Sequence, residues 1–270
     1  MYIKLGYELA FELPVPAPML LMLHVHPSRV GDIVRQTFLL TDPAVPVFTY
    51  RDPFGNTASR IFAPAGVIRM TYDAVVKDSG LPDVVQADAQ QHAVQDLPVE
   101  VLPFLLNSRY CEVDVLSDIA WNLFDKTPLG WPRVQAVVDW CHKNVTFGYA
   151  FARPTKTAFD VYRERQGVCR DFTHLAITLC RCLNIPARDA TGYLGDIGIP
   201  PVAAPMDFSA WFEVYLSGRW WTFDARHNKP RIGRVLMAHG RDATDAALTT
   251  SFGPANLVKF VVWTDEVPGP

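Results

Sequence analysis

The fold of this sequence is indicated first by one run of residues, Gly167-Val168-Cys169-Arg170-Asp171-Phe172-Thr173-His174-Leu175. Downstream of it, apolar side chains recur at helical spacing on one face: Phe172, Ala176, Leu179 and Leu183. Asn184 and Pro186 then end the helical pattern. The sequence therefore predicts an amphipathic helix that begins at Cys169.

The position of Cys169 at a helix start is one where a cysteine can act as a nucleophile. Unpaired backbone N–H groups and the positive end of the helix dipole lower a thiol pKa there, and Arg170 adds a further positive charge. The same N–H groups can hold the oxyanion of a tetrahedral intermediate. The alternative is a buried structural cysteine, since free cysteines are usually core residues.

The elements around this helix predict an α+β arrangement from residue 111 onward. Val134, Val137, Val138, Cys141 and Val145 indicate a helix over 132–145, after a shorter one at Asp118–Phe124. Thr157 and Asp160 have the spacing of a capping box. Strands are predicted at Ala187–Leu194, in a hairpin of Ala210–Leu216 with Arg219–Asp224, and at 257–263.

The first part of the chain has a different sequence pattern. Residues 1–110 contain short alternating polar and apolar runs, such as those at 19–26, 45–50, 60–64 and 67–72, separated by turn residues. These runs predict an antiparallel β-domain over 1–110, and the segment 81–108 is predicted to connect it to the core at 111–270.

The composition excludes several functional classes. The net charge of −3 gives no basic surface for nucleic acid, and no segment is apolar for long enough to span a bilayer. The amino-terminal residues MYIKLGYELAFELP lack the pattern of a secretory leader, and five cysteines are an odd number. We therefore expect a cytoplasmic protein with free thiols that interacts with neither nucleic acid nor membrane.

Three segments in order resemble the transglutaminase-like proteins: the cysteine segment 168–175, Asp207-Phe208-Ser209-Ala210-Trp211-Phe212-Glu213-Val214-Tyr215, and Trp220-Trp221-Thr222-Phe223-Asp224-Ala225. The turn at 52–56 also resembles the amino-terminal β-domain of bacterial members. The resemblance implies a papain-like core, a nucleophile at Cys169 and an orienting acid at Asp224. It further implies an acyl-thioester route for cleaving or transferring an amide or isopeptide bond in a peptide or protein, without a metal or organic cofactor.

Ser209 departs from the family pattern, which has a histidine there. A hydroxyl cannot take the thiol proton near neutral pH, so the family's cysteine–histidine pair cannot form at this position. His227 is the candidate replacement: it falls on the opposite face of an ideal hairpin ladder, but a bulge after Asp224 would bring it to the same face. The alternative is that His227 is a surface side chain in a loop.

The other histidines fit the role of a base less well. His174 is predicted to point away from Cys169 and to pack, and His142 to lie at a solvent edge. His24 and His26 share one strand face but lack a third metal ligand, so no metal site is predicted.

The sequence leaves two functions open. The first is a cysteine hydrolase, favoured over a cross-linking enzyme, in which Trp211 and Tyr193 are candidate substrate-binding residues, with a core role as the alternative for Trp211. The second is a catalytically degenerate module that binds peptide or protein. Whether Ser209 is native or introduced is not readable from one sequence, and neither is the oligomeric state.

Overall fold

The computed structural model describes residues 1–269. The helices are α1 (Val113–Phe124), α2 (Trp131–Asn144), α3 (Ala158–Glu164) and α4 (Cys169–Cys182). The strands are β1 (Tyr2–Leu13), β2 (Ala17–Leu21), β3 (Ile33–Gln36), β4 (Leu40–Asp42), β5 (Phe48–Arg51), β6 (Thr57–Ala63), β7 (Gly66–Lys77), β8 (Thr146–Phe147), β9 (Gln166–Gly167), β10 (Ala187–Leu194), β11 (Phe208–Leu216), β12 (Arg219–Phe223), β13 (Arg234–Gly240), β14 (Thr249–Ser251) and β15 (Asn256–Val267). Short 3₁₀ segments lie at Pro27–Asp32, Val94–Asp96, Val99–Leu105 and Tyr149–Phe151.

Helix α4 lies at the centre of the α+β core and begins at Cys169, as the sequence predicts. From Asp171 onward every residue of the helix is buried, because α1, α2 and α3 pack on one side and β10 and β11 on the other. The Asp171 carboxylate accepts the Val168 N–H and so caps the start of the helix. The capping box of Thr157 and Asp160 at the start of α3 is also confirmed.

The sheet beside α4 is antiparallel with the order β12-β11-β10-β13. Its hairpin pairs Leu216 with Arg219, as predicted, because Ser217 and Gly218 both take positive φ angles, 48° and 80°, in the two-residue turn. Strand β13 has no counterpart in the sequence prediction. It pairs with the far side of β10, so β10 lies between β11 and β13.

Two further antiparallel sheets contain the amino-terminal strands. One has the order β15-β1-β7-β3, with β4 also paired to β7, and the other has the order β14-β2-β6-β5. The mixed α+β class with antiparallel sheets is thereby confirmed. The last two strands of the chain join sheets built from residues 2–77, and the division of the chain near residue 110 stays a prediction.

The predicted strand at 19–26 is shorter in the structure. The strand ends at Leu21, yet Leu23 and Val25 remain buried, so the alternation continues beyond the ladder. There the Met22 and His26 N–H groups donate to the backbone carbonyls of Leu248 and Leu236. His26 and Pro27 then begin a 3₁₀ segment, and Pro27 has no N–H to donate to a strand. No helix within residues 1–269 is both long and apolar enough to cross a membrane.

A buried carboxyl group lies on β10. Asp189 has no solvent exposure and forms no ion pair in the described part of the chain. The nearby Arg181 guanidinium donates instead to backbone carbonyl groups, including that of Ala187. Burial, and next the negative charge of Asp242, raises the pKa of Asp189 to about 8. The carboxyl group is therefore mostly protonated in the folded protein at pH 7.

This raised pKa predicts a pH-dependent stability that Asp189→Asn should remove. The unfolded-state pKa is about 3.9, so the group favours the folded state fully below about pH 4, and this contribution is lost as the pH rises through about 8. We expect Asp189 to lower the free energy of unfolding by up to about 1.4 kcal/mol per pH unit across that window. Urea unfolding at pH 5 and pH 8 measures the slope.

The matched control is Asp118→Asn, at an exposed position of α1. This variant should keep the slope of the parent protein. An Asp189→Asn variant with the same slope as the parent would show that the buried carboxyl group does not govern the pH dependence.

Candidate functional site

Cys169 differs from the other four cysteines in its surroundings. Cys111, Cys141, Cys180 and Cys182 are buried, whereas Cys169 is partly exposed. Its sulfur lines a cavity of about 360 Å³, which we call the thiol cavity; the wall also includes Tyr110, Thr191, Asp207, Ser209 and Ala210. The backbone N–H groups of Ala210 and Arg170 lie near the sulfur and act to lower its pKa. The structure therefore places the thiol of a partly exposed residue beside a cavity and beside backbone N–H groups.

The charge state of this thiol differs from the sequence expectation. Burial, together with the nearby Asp207 carboxylate, raises the pKa of Cys169 to about 11, although the Ala210 N–H acts in the opposite direction. Arg170 does not compensate, because its guanidinium pairs with Asp171 at 3.0 Å. The expectation of a thiolate at the helix start is corrected: the thiol is protonated near neutral pH.

Asp224 organises the end of the hairpin. It follows the last residue of β12, and its Oδ1 accepts the backbone N–H groups of Arg226 and His227. Its own carbonyl accepts the Asn228 N–H, so the chain makes one tight turn directly after the strand. This turn carries the His227 side chain back to Asp224. A capped turn, rather than the bulge considered from the sequence, reverses the direction of the imidazole.

The imidazole of His227 is paired with the carboxylate. His227 Nδ1 lies 2.8 Å from Asp224 Oδ2, and Arg234 Nη2 donates to the same oxygen at 2.9 Å. Burial acts to raise the pKa of Asp224, but the hydrogen bond from His227 and the charge of Arg234 outweigh it and hold that pKa well below its usual range. His227 Nε2 has no hydrogen bond within the described residues, so it is the nitrogen that is free to exchange protons.

Ser209 is part of the surroundings of both the thiol and the imidazole. Its side chain is mostly buried, and its Oγ has no hydrogen-bond partner among residues 1–269. Ser209 lines the thiol cavity and also a neighbouring cavity of about 290 Å³ that contains His227, which we call the imidazole cavity. Asp207 lines both cavities as well. Cys169 and His227 thus lie in adjacent cavities that share these two residues.

Trp211 and Tyr193 lie in the protein interior. Tyr193 has no exposure and packs against Phe208, with 5.2 Å between ring centroids. Trp211 is 2% exposed, and Arg234 lies over its ring at 5.0 Å. Both side chains therefore pack in the interior, and substrate contact by them stays a prediction.

The remaining histidines have other partners. His174 is buried, stacks on Tyr110 and accepts the Ala243 N–H through Nε2, which confirms its packing role. His142 lies at the surface, with Nδ1 2.8 Å from the Arg226 carbonyl oxygen. His24 contacts the Ser59 hydroxyl, and His26 the Ser28 hydroxyl.

Several charged residues near the site were not singled out from the sequence. Arg226 and Arg231 line the imidazole cavity, Arg234 binds Asp224, and Asp207 lies near the thiol. These three arginines, all within the ten residues that follow Asp224, were a visible signal. Their meaning depended on the turn at 224–228 and on β13, which the sequence pattern did not predict.

Comparisons with known proteins agree with the fold. Residues 120–225 match a family model described as the transglutaminase-like superfamily. A crystal structure from Cytophaga hutchinsonii, described as a "putative cysteine protease", has 31% sequence identity and a TM-score of 0.86, covering 100% of this chain and 92% of that chain. The chain belongs to the transglutaminase-like superfamily. An uncharacterized protein of Mycobacterium leprae, ML0607, is 26% identical over 226 residues, which cover 79% of this transglutaminase-like chain and 80% of that protein.

The raised thiol pKa makes a prediction about the reactivity of this transglutaminase-like protein. Cys169 should be the first cysteine that iodoacetamide labels in the folded state, because the other four thiols are buried. Its labelling rate should rise about tenfold per pH unit from pH 7 to pH 10, since the thiolate fraction rises in that proportion below a pKa of about 11. Mass spectrometry of partly alkylated protein measures both.

The buried thiols provide the internal control, and unfolding in urea should make all five cysteines react. A rate plateau below pH 8 would indicate a stable thiolate instead. Earlier labelling of Cys111 or Cys141 in folded protein would contradict the assignment of the accessible thiol.

Proposed function

We propose that this protein is a cysteine-dependent amide hydrolase that forms an acyl-thioester on Cys169, with His227 as the base and Asp224 as its orienting acid. The observation that carries the proposal is the 2.8 Å contact between His227 Nδ1 and Asp224 Oδ2, in a cavity that shares Ser209 with the cavity of Cys169. An imidazole held by a buried carboxylate is what a nucleophilic cysteine needs as a proton acceptor. The proposed substrate is an amide or isopeptide bond of a peptide or protein.

The chemistry requires proton transfer during attack rather than a preformed ion pair, because the thiol pKa of about 11 keeps Cys169 protonated. In the proposal Sγ attacks the carbonyl carbon while its proton passes to His227 Nε2, through one water beside the Ser209 hydroxyl. The backbone N–H groups near the start of α4 hold the oxyanion. Collapse of the intermediate breaks the C–N bond, and the imidazolium protonates the leaving amine.

Deacylation uses the same groups in reverse order. Water attacks the thioester while His227 accepts its proton, and the carboxylic acid leaves as Sγ regains a proton. Transfer to an amine instead of water is the acyltransferase variant of this step. Asp224 stabilises the imidazolium in both halves, since Arg234 keeps that carboxylate ionised.

The state of the cysteines supports a cytoplasmic location for this reaction. All five cysteines, four of them buried and one partly exposed, are free thiols, and free thiols persist in a reducing compartment.

A second function is favoured by two specific observations. Ser209 occupies the family's histidine position, and the thiol has a raised pKa. A transglutaminase-like module that binds peptide or protein without cleaving it would tolerate both. In that case His227 would serve only to hold the turn after Asp224.

Acylation by p-nitrophenyl acetate separates these functions. If His227 is the base, His227→Ala should slow acetylation of Cys169 at pH 7 by roughly 10²-fold, and Cys169→Ser should abolish it. Mass spectrometry of the acyl-enzyme and release of p-nitrophenol give the rate. His92→Ala is the matched control, because His92 contacts the far end of the hairpin at Gly218.

Ser209→His tests whether an imidazole at position 209 can replace His227. In a His227→Ala background, it should restore the rate by returning an imidazole to the family position, whereas with His227 present two rings would crowd one space and the gain should be small. Acetylation that is unchanged in His227→Ala and rises strongly in the single Ser209→His variant would favour the binding module.

A further inference from the structure

The imidazole cavity contains an unusual set of charges. Its wall includes the cationic side chains of Arg226, Lys229 and Arg231 beside His227 and Ser209. None of the three cations forms an ion pair with a carboxylate within residues 1–269. By contrast, the nearby Arg234 pairs with both Asp83 and Asp224. Unpaired cations that share one cavity are a binding feature for an anion.

Arg231 is the most informative of the three. Its side chain is 3% exposed, and its Nη2 donates to the Gly195 carbonyl. Its Nε has no partner in the described part of the chain. A buried guanidinium with an unused donor is costly unless a ligand completes it. Arg226 is held differently, with its guanidinium 3.6 Å from the centre of the Phe147 ring.

Two carboxylates on the same wall limit the charge of the ligand. Asp196 accepts the Val202 N–H, and Asp207 lies between this cavity and the thiol cavity. Three cations against two carboxylates leave an excess of about one positive charge. A single carboxylate matches that excess, and its planar pair of oxygens fits a guanidinium, whereas a phosphate carries roughly −1.5 to −2.

We propose that the imidazole cavity is a subsite for a substrate carboxylate, so that the enzyme prefers amide bonds next to an aspartate or glutamate side chain. This inference rests on the proposed function, because it assigns the substrate of the same Cys169. The acyl carbon would lie in the thiol cavity, and the acidic side chain would reach past Ser209 to Arg231 and Lys229.

A pair of alkylating probes of equal size tests the subsite. N-bromoacetyl-glutamate amide and N-bromoacetyl-glutamine amide differ only in the charged end of the side chain. With each, Sγ displaces bromide to form a thioether and the thiol proton goes to the base. We expect the glutamate probe to reach half-maximal labelling rate of Cys169 at an about tenfold lower concentration than the glutamine probe. High salt should reduce this difference, because it screens the charges.

Three variants locate the effect. Lys229→Gln, at an exposed position, and Arg231→Gln should each reduce the preference for the glutamate probe. Arg219→Gln removes an exposed arginine that lies over Trp221 outside this cavity, and it should keep the preference. Arg231→Gln replaces a buried side chain and can fail to fold. In that case the preference measured with Lys229→Gln decides whether the subsite exists.

A second measurement does not depend on reactivity. Titration of Cys169→Ser with N-acetyl-glutamate amide and N-acetyl-glutamine amide, followed by NMR shifts, should show the same preference. Equal binding of the two ligands, or equal half-saturation of the two probes at a labelled Cys169, would overturn the subsite and leave the proposed function standing. Failure of the proposed function shows separately, as acetylation by p-nitrophenyl acetate that His227→Ala does not slow.

Discussion

The carboxylate of Asp224 is the point on which the site depends. It accepts the backbone N–H groups of Arg226 and His227, the Nδ1 side of the His227 ring, and a guanidinium N–H of Arg234. These donors come from the turn after β12 and from the start of β13. One buried anion therefore ends a strand, shapes the following turn and joins two non-adjacent edges of the sheet. A neutral side chain here would leave several of these donors unpaired at once.

The two halves of the site contrast electrostatically. Around Asp224 the protein supplies enough positive charge to keep a buried acid ionised, whereas around Cys169 burial and Asp207 keep the thiol neutral. Arg170, the cation closest in sequence to the thiol, is neutralised by its neighbour Asp171. The protein thus separates a strong, fixed ion cluster from a weak acid that ionises only when a base takes its proton.

The elements with strong local signals were predictable from the sequence. Helix α4, strand β10 and the hairpin turn at Ser217 and Gly218 follow from periodicity and turn chemistry, and the fold class follows from them. The orientation of His227 was not predictable, because strand alternation ceases at Phe223 and a side-chain-capped turn takes over. The thiol pKa was also missed, since burial and the pairing of Arg170 are tertiary effects that no local pattern records.

The path of the chain through the amino-terminal sheet has a consequence for synthesis on the ribosome. Strand β1 lies between β7 and β15, and β15 is the last of these three strands to be synthesised. One edge of β1 therefore stays without its native partner until Asn256–Val267 have left the exit tunnel. Until then its unpaired N–H and C=O groups form an exposed sheet edge of the kind that recruits other chains. Emergence of β15 from the ribosome, rather than completion of the strands within residues 2–77, is the step that closes this edge.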